Sequence, residues 1–192
     1  TNASDDIALA NNGANSVWVN HRAVVEFSTF ATVNLQGRGG DDSVSVSPAT
    51  LVGVTTINVD GGDPTASDVL IVNGTAGSDI INFAPTAADA GTVTLGVVIN
   101  YSTTEKVVIN GLGGSDKLAI ASPSGADAFT YTPGTTPDAG SVDGRVLGTG
   151  PLTPLQFTNL GAAGTVTFND GAMIHVLELL KDVAEGVTDF RW

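Results

Sequence analysis

Five aspartates sit where a cation that seeks oxygen could be held. Asp42, Asp79 and Asp116 each close a turn of the form Gly-x-x-Gly-x-Asp, in GRGGDD (Gly37 to Asp42), GTAGSD (Gly74 to Asp79) and GLGGSD (Gly111 to Asp116). Asp41 adjoins the first of these turns, and Asp68 closes the longer turn DGGDPTASD that begins at Asp60. Calcium takes roughly six to eight oxygen ligands. Asp41, Asp42, Asp68, Asp79 and Asp116 are therefore candidate Ca²⁺ ligands only if folding stacks their turns together, with Asp60 or Asp63 beside them. The other reading is local: each carboxylate accepts hydrogen bonds from nearby backbone N–H groups and closes its own turn. Both readings are open at this level.

Catalytic chemistry finds few candidates. The basic residues are His21, Arg22, Arg38, Lys106, Lys117, Arg145, His175, Lys181 and Arg191. A lyase acting on acidic polysaccharide would need clustered carboxylates holding calcium and a base to take a proton. Only His21, Arg22 and Glu26 form a local polar group, and a solvated strand edge accounts for it. A glycosidase needs two opposed carboxylates, yet glutamate is confined to Glu26, Glu105, Glu178 and Glu185. No nucleophile elbow, phosphate loop, His-metal spacing or dinucleotide fingerprint occurs. The expectation is a protein that is not an enzyme, with no catalytic residue and no certain cofactor, and with a polysaccharide lyase as the distant alternative.

Composition narrows the partners. Twenty acidic against seven basic residues give a formal net charge of −13. Nucleic-acid binding needs clustered Lys and Arg to displace counterions, so no nucleic-acid partner is expected. No apolar run approaches the ~20 residues of a membrane span, which argues against membrane insertion. Cysteine is absent, so stability must come from packing and backbone pairing. The wealth of Thr, Ser, Asn, Gly and Asp suits a secreted or cell-surface bacterial setting. A chain that starts at Thr1 is expected to be a processed product or an excised segment.

Behind the aspartates lie internal repeats. Shifted by 74 residues, Thr1 to Ala10 falls on Thr75 to Ala84, Val33 on Val107, Leu35 on Ile109 and Asp42 on Asp116. Shifted by 48, Gly77 to Pro85 falls on Gly125 to Pro133 and Val107 to Ile120 on Leu155 to Phe168; this third copy has Gly164 in place of its aspartate. The first copy carries an extra stretch near Ser47 to Gly74. A shorter period runs within. Val17, Val44, Leu70, Val93, Leu118, Val142 and Val166 each open a short strand after a turn, at steps of 27, 26, 23, 25, 24 and 24 residues. Alternation such as SVSVS and TVTFN marks strands with one buried face.

A ~24-residue coil with two or three short strands is what a parallel β-helix requires. The expected fold is all-β, a single-domain parallel β-helix (β-solenoid) of about seven coils over residues 1–171. One inward ladder would join Val44, Leu70, Val93, Leu118, Val142 and Val166. A second would join Val46, Val72, Leu95, Ile120 and Phe168. The alternative is an antiparallel β-sandwich, which also has regularly spaced short strands. From Met173 the pattern stops, and residues 172–192 are expected to form a C-terminal cap or docking segment.

The turns resemble the calcium-binding repeats-in-toxin nonapeptide, matched through Gly111, Gly114, Asp116 and Leu118, through Gly37, Gly40, Asp42 and Val44, and through Gly74, Gly77, Asp79 and Ile81. The wider unit, NGTAGSDIINF followed later by EKVVINGLGGSDKLAI, is similar to tandem repeats of large secreted proteins from planctomycetes and other environmental bacteria. That resemblance covers some 130 to 150 residues and implies a surface-exposed repeat architecture. It also implies Ca²⁺ between successive turns. Two departures weaken the metal: matching aspartates lie 11, 26, 37 or 48 apart, and the second position of the nonapeptide is never glycine. The functional expectation is an extracellular structural module that associates with itself through solenoid ends or edges into a filament, matrix or surface layer. An adhesin module binding calcium or a surface glycan is the alternative.

Overall fold

The computed structural model describes residues 3–63, 67–124 and 127–169. The cap expected over 172–192, with His175, Glu178, Lys181, Glu185 and Arg191, lies outside the described residues. The fold is all-β. Seventeen strands follow in chain order: β1 (Asp6–Asn11), β2 (Asn15–Val19), β3 (Val25–Phe27), β4 (Thr32–Gln36), β5 (Ser43–Val46), β6 (Thr56–Asp60), β7 (Val69–Asn73), β8 (Ile80–Pro85), β9 (Gly91–Leu95), β10 (Val97–Ser102), β11 (Lys106–Asn110), β12 (Lys117–Ala121), β13 (Asp127–Pro133), β14 (Gly140–Val146), β15 (Gly150–Pro151), β16 (Leu155–Thr158) and β17 (Thr165–Asn169). Alternation decides the faces. In β7, Leu70 and Val72 are buried while Val69, Ile71 and Asn73 are half-exposed. β11 repeats that pattern.

The strands form two sheets. The first runs β13-β14-β16-β11-β7-β5-β1-β2-β3, with β15 on β14; the second runs β17-β12-β8-β9-β10-β6-β4. Both are mixed. In the first, β1, β5, β7, β11 and β16 pair in parallel. The second holds two parallel sets, β4-β6-β10 and β8-β12-β17, joined through the antiparallel β9. One row of side chains in the first sheet stacks Ile7, Val44, Leu70, Val107 and Leu155; the next stacks Leu9, Val46, Val72, Ile109 and Phe157. All ten are buried. Each contributes roughly 1.5–3 kcal/mol on leaving water, so the column and no single position holds the sheets together.

The single inward ladder expected from sequence does not form. Val44 does lie beside Leu70, and Val46 beside Val72, but both pairs belong to the first sheet. Leu118 with Val166, and Ile120 with Phe168, belong to the second. Val93 sits on an antiparallel strand opposite Phe83 and Ile99, and Val142 lies antiparallel to Leu155. The regular ~24-residue step is also corrected. Neighbours in the first sheet's parallel stack lie 37, 26, 37 and 48 positions apart, from Ile7 to Val44, Leu70, Val107 and Leu155. The longer steps contain antiparallel strands: β2 and β3 within the first, β9 within the third, and β13, β14 and β15 within the last. Val17, Val44, Leu70 and Val142 lie in the first sheet and Val93, Leu118 and Val166 in the second, so equal spacing along the chain does not mean stacking.

The three stretches aligned by shifts of 74 and 48 share one strand order. Each begins with an antiparallel meander, β1-β2-β3, β8-β9-β10 or β13-β14-β15. Two further strands follow each meander: β4 and β5, β11 and β12, or β16 and β17. The extra stretch of the first copy holds β6 and β7.

Candidate functional site

The Gly-x-x-Gly-x-Asp turns are where the described residues concentrate unusual chemistry. Their last aspartate stands one residue before a strand, before β5 for Asp42, β8 for Asp79 and β12 for Asp116. Two positions on, Val44, Ile81 and Leu118 point into the core and are buried. The first glycine makes room for the carboxylate. A Cβ on Gly37, Gly74 or Gly111 would overlap Oδ2 of Asp42, Asp79 or Asp116 respectively. The second glycine serves the backbone: Gly40 and Gly114 have φ of +113° and +105°, a region that L side chains rarely adopt. Gly114 also lies against the carbonyl of Gly77, and Gly40 against the backbone of Ala3 and Ser4. Gly77 is the exception, with only Thr75 Oγ1 near its would-be Cβ, at 3.5 Å.

The carboxylates bond between layers of the stack and not chiefly within their own turns. Oδ1 of Asp42 accepts the backbone N–H of Asp5 at 2.6 Å, and Oδ1 of Asp68 accepts that of Asp42 at 2.7 Å. Oε2 of Glu105 then accepts the N–H of Asp68 at 2.8 Å. These residues precede β1, β5, β7 and β11, so one carboxylate ladder runs where the chain enters the first sheet. A second, shorter ladder runs where it enters the second sheet, with Oδ1 of Asp116 accepting the N–H of Asp79 at 2.9 Å. Asp79 alone of the three turn aspartates also closes its own turn, through Oδ2 to the N–H of Thr75 at 2.6 Å. In the third copy, Gly164 could not carry a side chain, since its Cβ would meet Leu160 Cβ at 2.6 Å. Asp127 there turns to the hydroxyls of Ser122 and Ser124 instead.

The expected metal ligands therefore divide. Asp41, Asp42 and Asp68 lie along the first ladder, and Asp79 and Asp116 along the second. Asp41 accepts the N–H of Ser67 at 3.1 Å, and Asp60 accepts the hydroxyl of Thr103 at 2.6 Å. Among the described residues, no three His, Asp or Glu side chains converge closely enough to hold a metal ion. With Oδ1 of Asp42, Asp68 and Asp116 each committed to a backbone N–H, the carboxylates are arranged as backbone acceptors.

Burial leaves a residue of polar atoms without partners. Asp42, Asp68 and Asp116 are almost wholly buried, and Oδ2 of all three finds no hydrogen-bond partner. Burial pushes the Asp68 carboxyl above the usual carboxylate range; the Asp42 N–H opposes this, and the charges of Glu105, Asp42 and Asp41 add to it. Asp116 is raised by burial and by the charge of Asp79, against the pull of the Asp79 N–H. Burial acts in the same direction on Asp127, but its bonds to Ser122 and Ser124 outweigh it and the carboxyl is lowered.

Two features had weaker signals in the sequence. Glu105 takes the place of an aspartate in the first ladder; its position one residue before a strand, 37 beyond Asp68, was the available clue. Amides also stack, Asn100 to Asn58 to Asn34 at 2.8 and 2.7 Å, and Asn159 to Asn110 to Asn73 at 2.9 and 3.4 Å. The strand endings VLIVN, KVVIN and LQFTN carried that second row in plain view. By contrast, His21, Arg22 and Glu26 are all exposed. No protein-family model, curated protein or solved structure matches the chain.

Proposed function

We propose that this chain is an extracellular structural module, a β-solenoid interrupted by antiparallel meanders, that stacks on copies of itself through the open ends of its sheets. The solenoid reading is supported by the path of the chain. From β4 to β7 successive strands alternate between the two sheets, and after each later meander the chain crosses again, at β11, β12 and β17. The observation that carries the functional reading is at the β3/β4 end. Both strands are outermost in their sheets among the described residues, and Val24, Val25 and Phe30 beside them are 55%, 64% and 58% exposed. Unpaired N–H and C=O groups next to exposed apolar side chains form a template for another strand.

Strand direction supports a head-to-tail arrangement. Two antiparallel steps restore polarity, so β3 runs parallel to β13, and β4 runs parallel to β17. A translated copy thus presents strands of matching direction, the condition for a heterologous and open-ended contact. Electron microscopy and sedimentation velocity at rising protein concentration test the reading. Wild type should form particles that lengthen in one dimension, and Val25→Lys with Phe30→Lys should keep the chain monomeric. Monodisperse wild type at every concentration would remove the proposal.

A further inference from the structure

The stacked amides all point one way, and one of them has nothing to bond. In the second sheet Asn100 donates from β10 to Asn58 on β6, and Asn58 donates to Asn34 on β4. In the first sheet Asn159 donates to Asn110, Asn110 to Asn73, and Asn73 to Oγ of Ser45 on β5 at 3.1 Å. Five of the six amides thus donate to the layer before. Asn34 accepts from Asn58, but its Nδ2 meets no acceptor among the described residues, because β4 is the outermost strand there.

The opposite edge of the same sheet carries a strand of the same make. β4 reads TVNLQ and β17 reads TVTFN. Val33 and Leu35 of β4, and Val166 and Phe168 of β17, pack against the core. Their neighbours Ile57, Leu118 and Ile120 are wholly buried, whereas Val33, Val166 and Phe168 are half-exposed. The apolar column is thus incomplete at both edges. Thr167 stands exposed in the middle of β17, and its Oγ1 donates to the carbonyl of Leu118 at 3.5 Å. A hydroxyl that donates keeps lone pairs with which to accept.

On the reading that copies stack head to tail, on which this inference rests, we propose the register of their contact. β4 of one copy lies parallel against β17 of the next, from Thr32 beside Thr165 to Gln36 beside Asn169. Nδ2 of Asn34 then donates to Oγ1 of the next copy's Thr167, which continues the amide row across the contact. A slip of one residue would set Val33 and Leu35 against the outward side chains of β17. A slip of two would leave one of them without an apolar neighbour on β17. Only the unshifted register stacks Val33 on Val166 and Leu35 on Phe168 while Asn34 meets Thr167.

Cysteine pairs read this register, since the chain has no cysteine of its own. Within one chain the two edges are six strand spacings apart, about 29 Å, so a bridge between them must join two copies. Facing residues lie about 4.8 Å apart at Cα and residues offset by two about 8 Å, while a disulfide needs less than about 7 Å. Air oxidation of assembled Asn34→Cys/Thr167→Cys should therefore give a ladder of covalent multimers. Gln36→Cys/Asn169→Cys, which leaves Asn34 intact, should do the same, and the offset pair Asn34→Cys/Asn169→Cys should give at least about tenfold less. Asn34→Ala should raise the concentration needed for assembly by about twofold to tenfold, the worth of one hydrogen bond. A stronger ladder from the offset pair, or none from either facing pair while wild type grows in one dimension, overturns the register and leaves self-association standing. Assembly of Asn34→Ala at the wild-type concentration removes the amide bond from the contact. Wild type that stays monodisperse overturns the register and the stacking together.

Discussion

At the scale of single residues, the two glycines of the repeated turn do different work, and substitution can separate them. Gly111 faces a carboxylate and the Asn159 carbonyl together, both on the rigid side of a packed turn. Alanine there must displace one or the other. Overpacking of this kind costs ~1–3 kcal/mol. Gly77 occupies the second glycine position of its turn but has ordinary contacts and no positive φ, so Gly77→Ala should change stability by no more than about 0.5 kcal/mol. Urea unfolding of the two variants gives the comparison. Equal costs would mean that the motif is set by backbone freedom alone and not by room for the carboxylate. The turn chemistry itself was legible in the sequence, because Gly and Asp at that spacing have few other uses. The carboxylate's partner was not. An own-turn N–H and the N–H of a neighbouring layer are equally plausible acceptors' mates until the layers are placed, and only the 37-residue spacing of Asp5 from Asp42, and of Asp79 from Asp116, hinted at the second.

At the scale of elements, strand alternation fixed which side chains face inward but not which sheet receives them. SVSVS and KLAIA look alike, yet β5 lies in the first sheet and β12 in the second. The antiparallel meanders concealed this, since β9 has the same alternation as the parallel strands and differs only in its neighbours. Pairing also ranks the elements by expected protection from exchange. β7 and β11 each have parallel partners on both sides, with Leu70, Val72, Val107 and Ile109 wholly buried. β3 has three residues and one partner, and β15 has two residues and one partner. Local opening draws on strands with few buried contacts. Hydrogen exchange should therefore find the β7 and β11 amides slowest and those of β3 and β15 fastest. Slow exchange in β3 of a dilute sample would mean that its outer edge is already covered.

At the scale of the whole molecule, charge and shape oppose each other. A chain of net charge −13 repels its copies, while at the β3/β4 end valine and phenylalanine are exposed beside strands that are outermost in their sheets among the described residues. Long-range repulsion between like charges is screened over ~30 Å at 0.01 M salt and over ~8 Å at 0.15 M. Apolar contact and strand pairing act at much shorter range and are not weakened by that change. Association should then require less protein as salt is raised through this interval, and sedimentation velocity would register a shift toward larger species at fixed concentration. A contact built on ion pairs between the two ends would behave in the opposite way, since salt would weaken it. With only seven Lys and Arg in 192 residues, attraction between ends has little positive charge to draw on. Dissolution of the assemblies by salt would therefore count against the apolar edge as the contact, and growth with salt would leave that edge as the surface through which the copies meet.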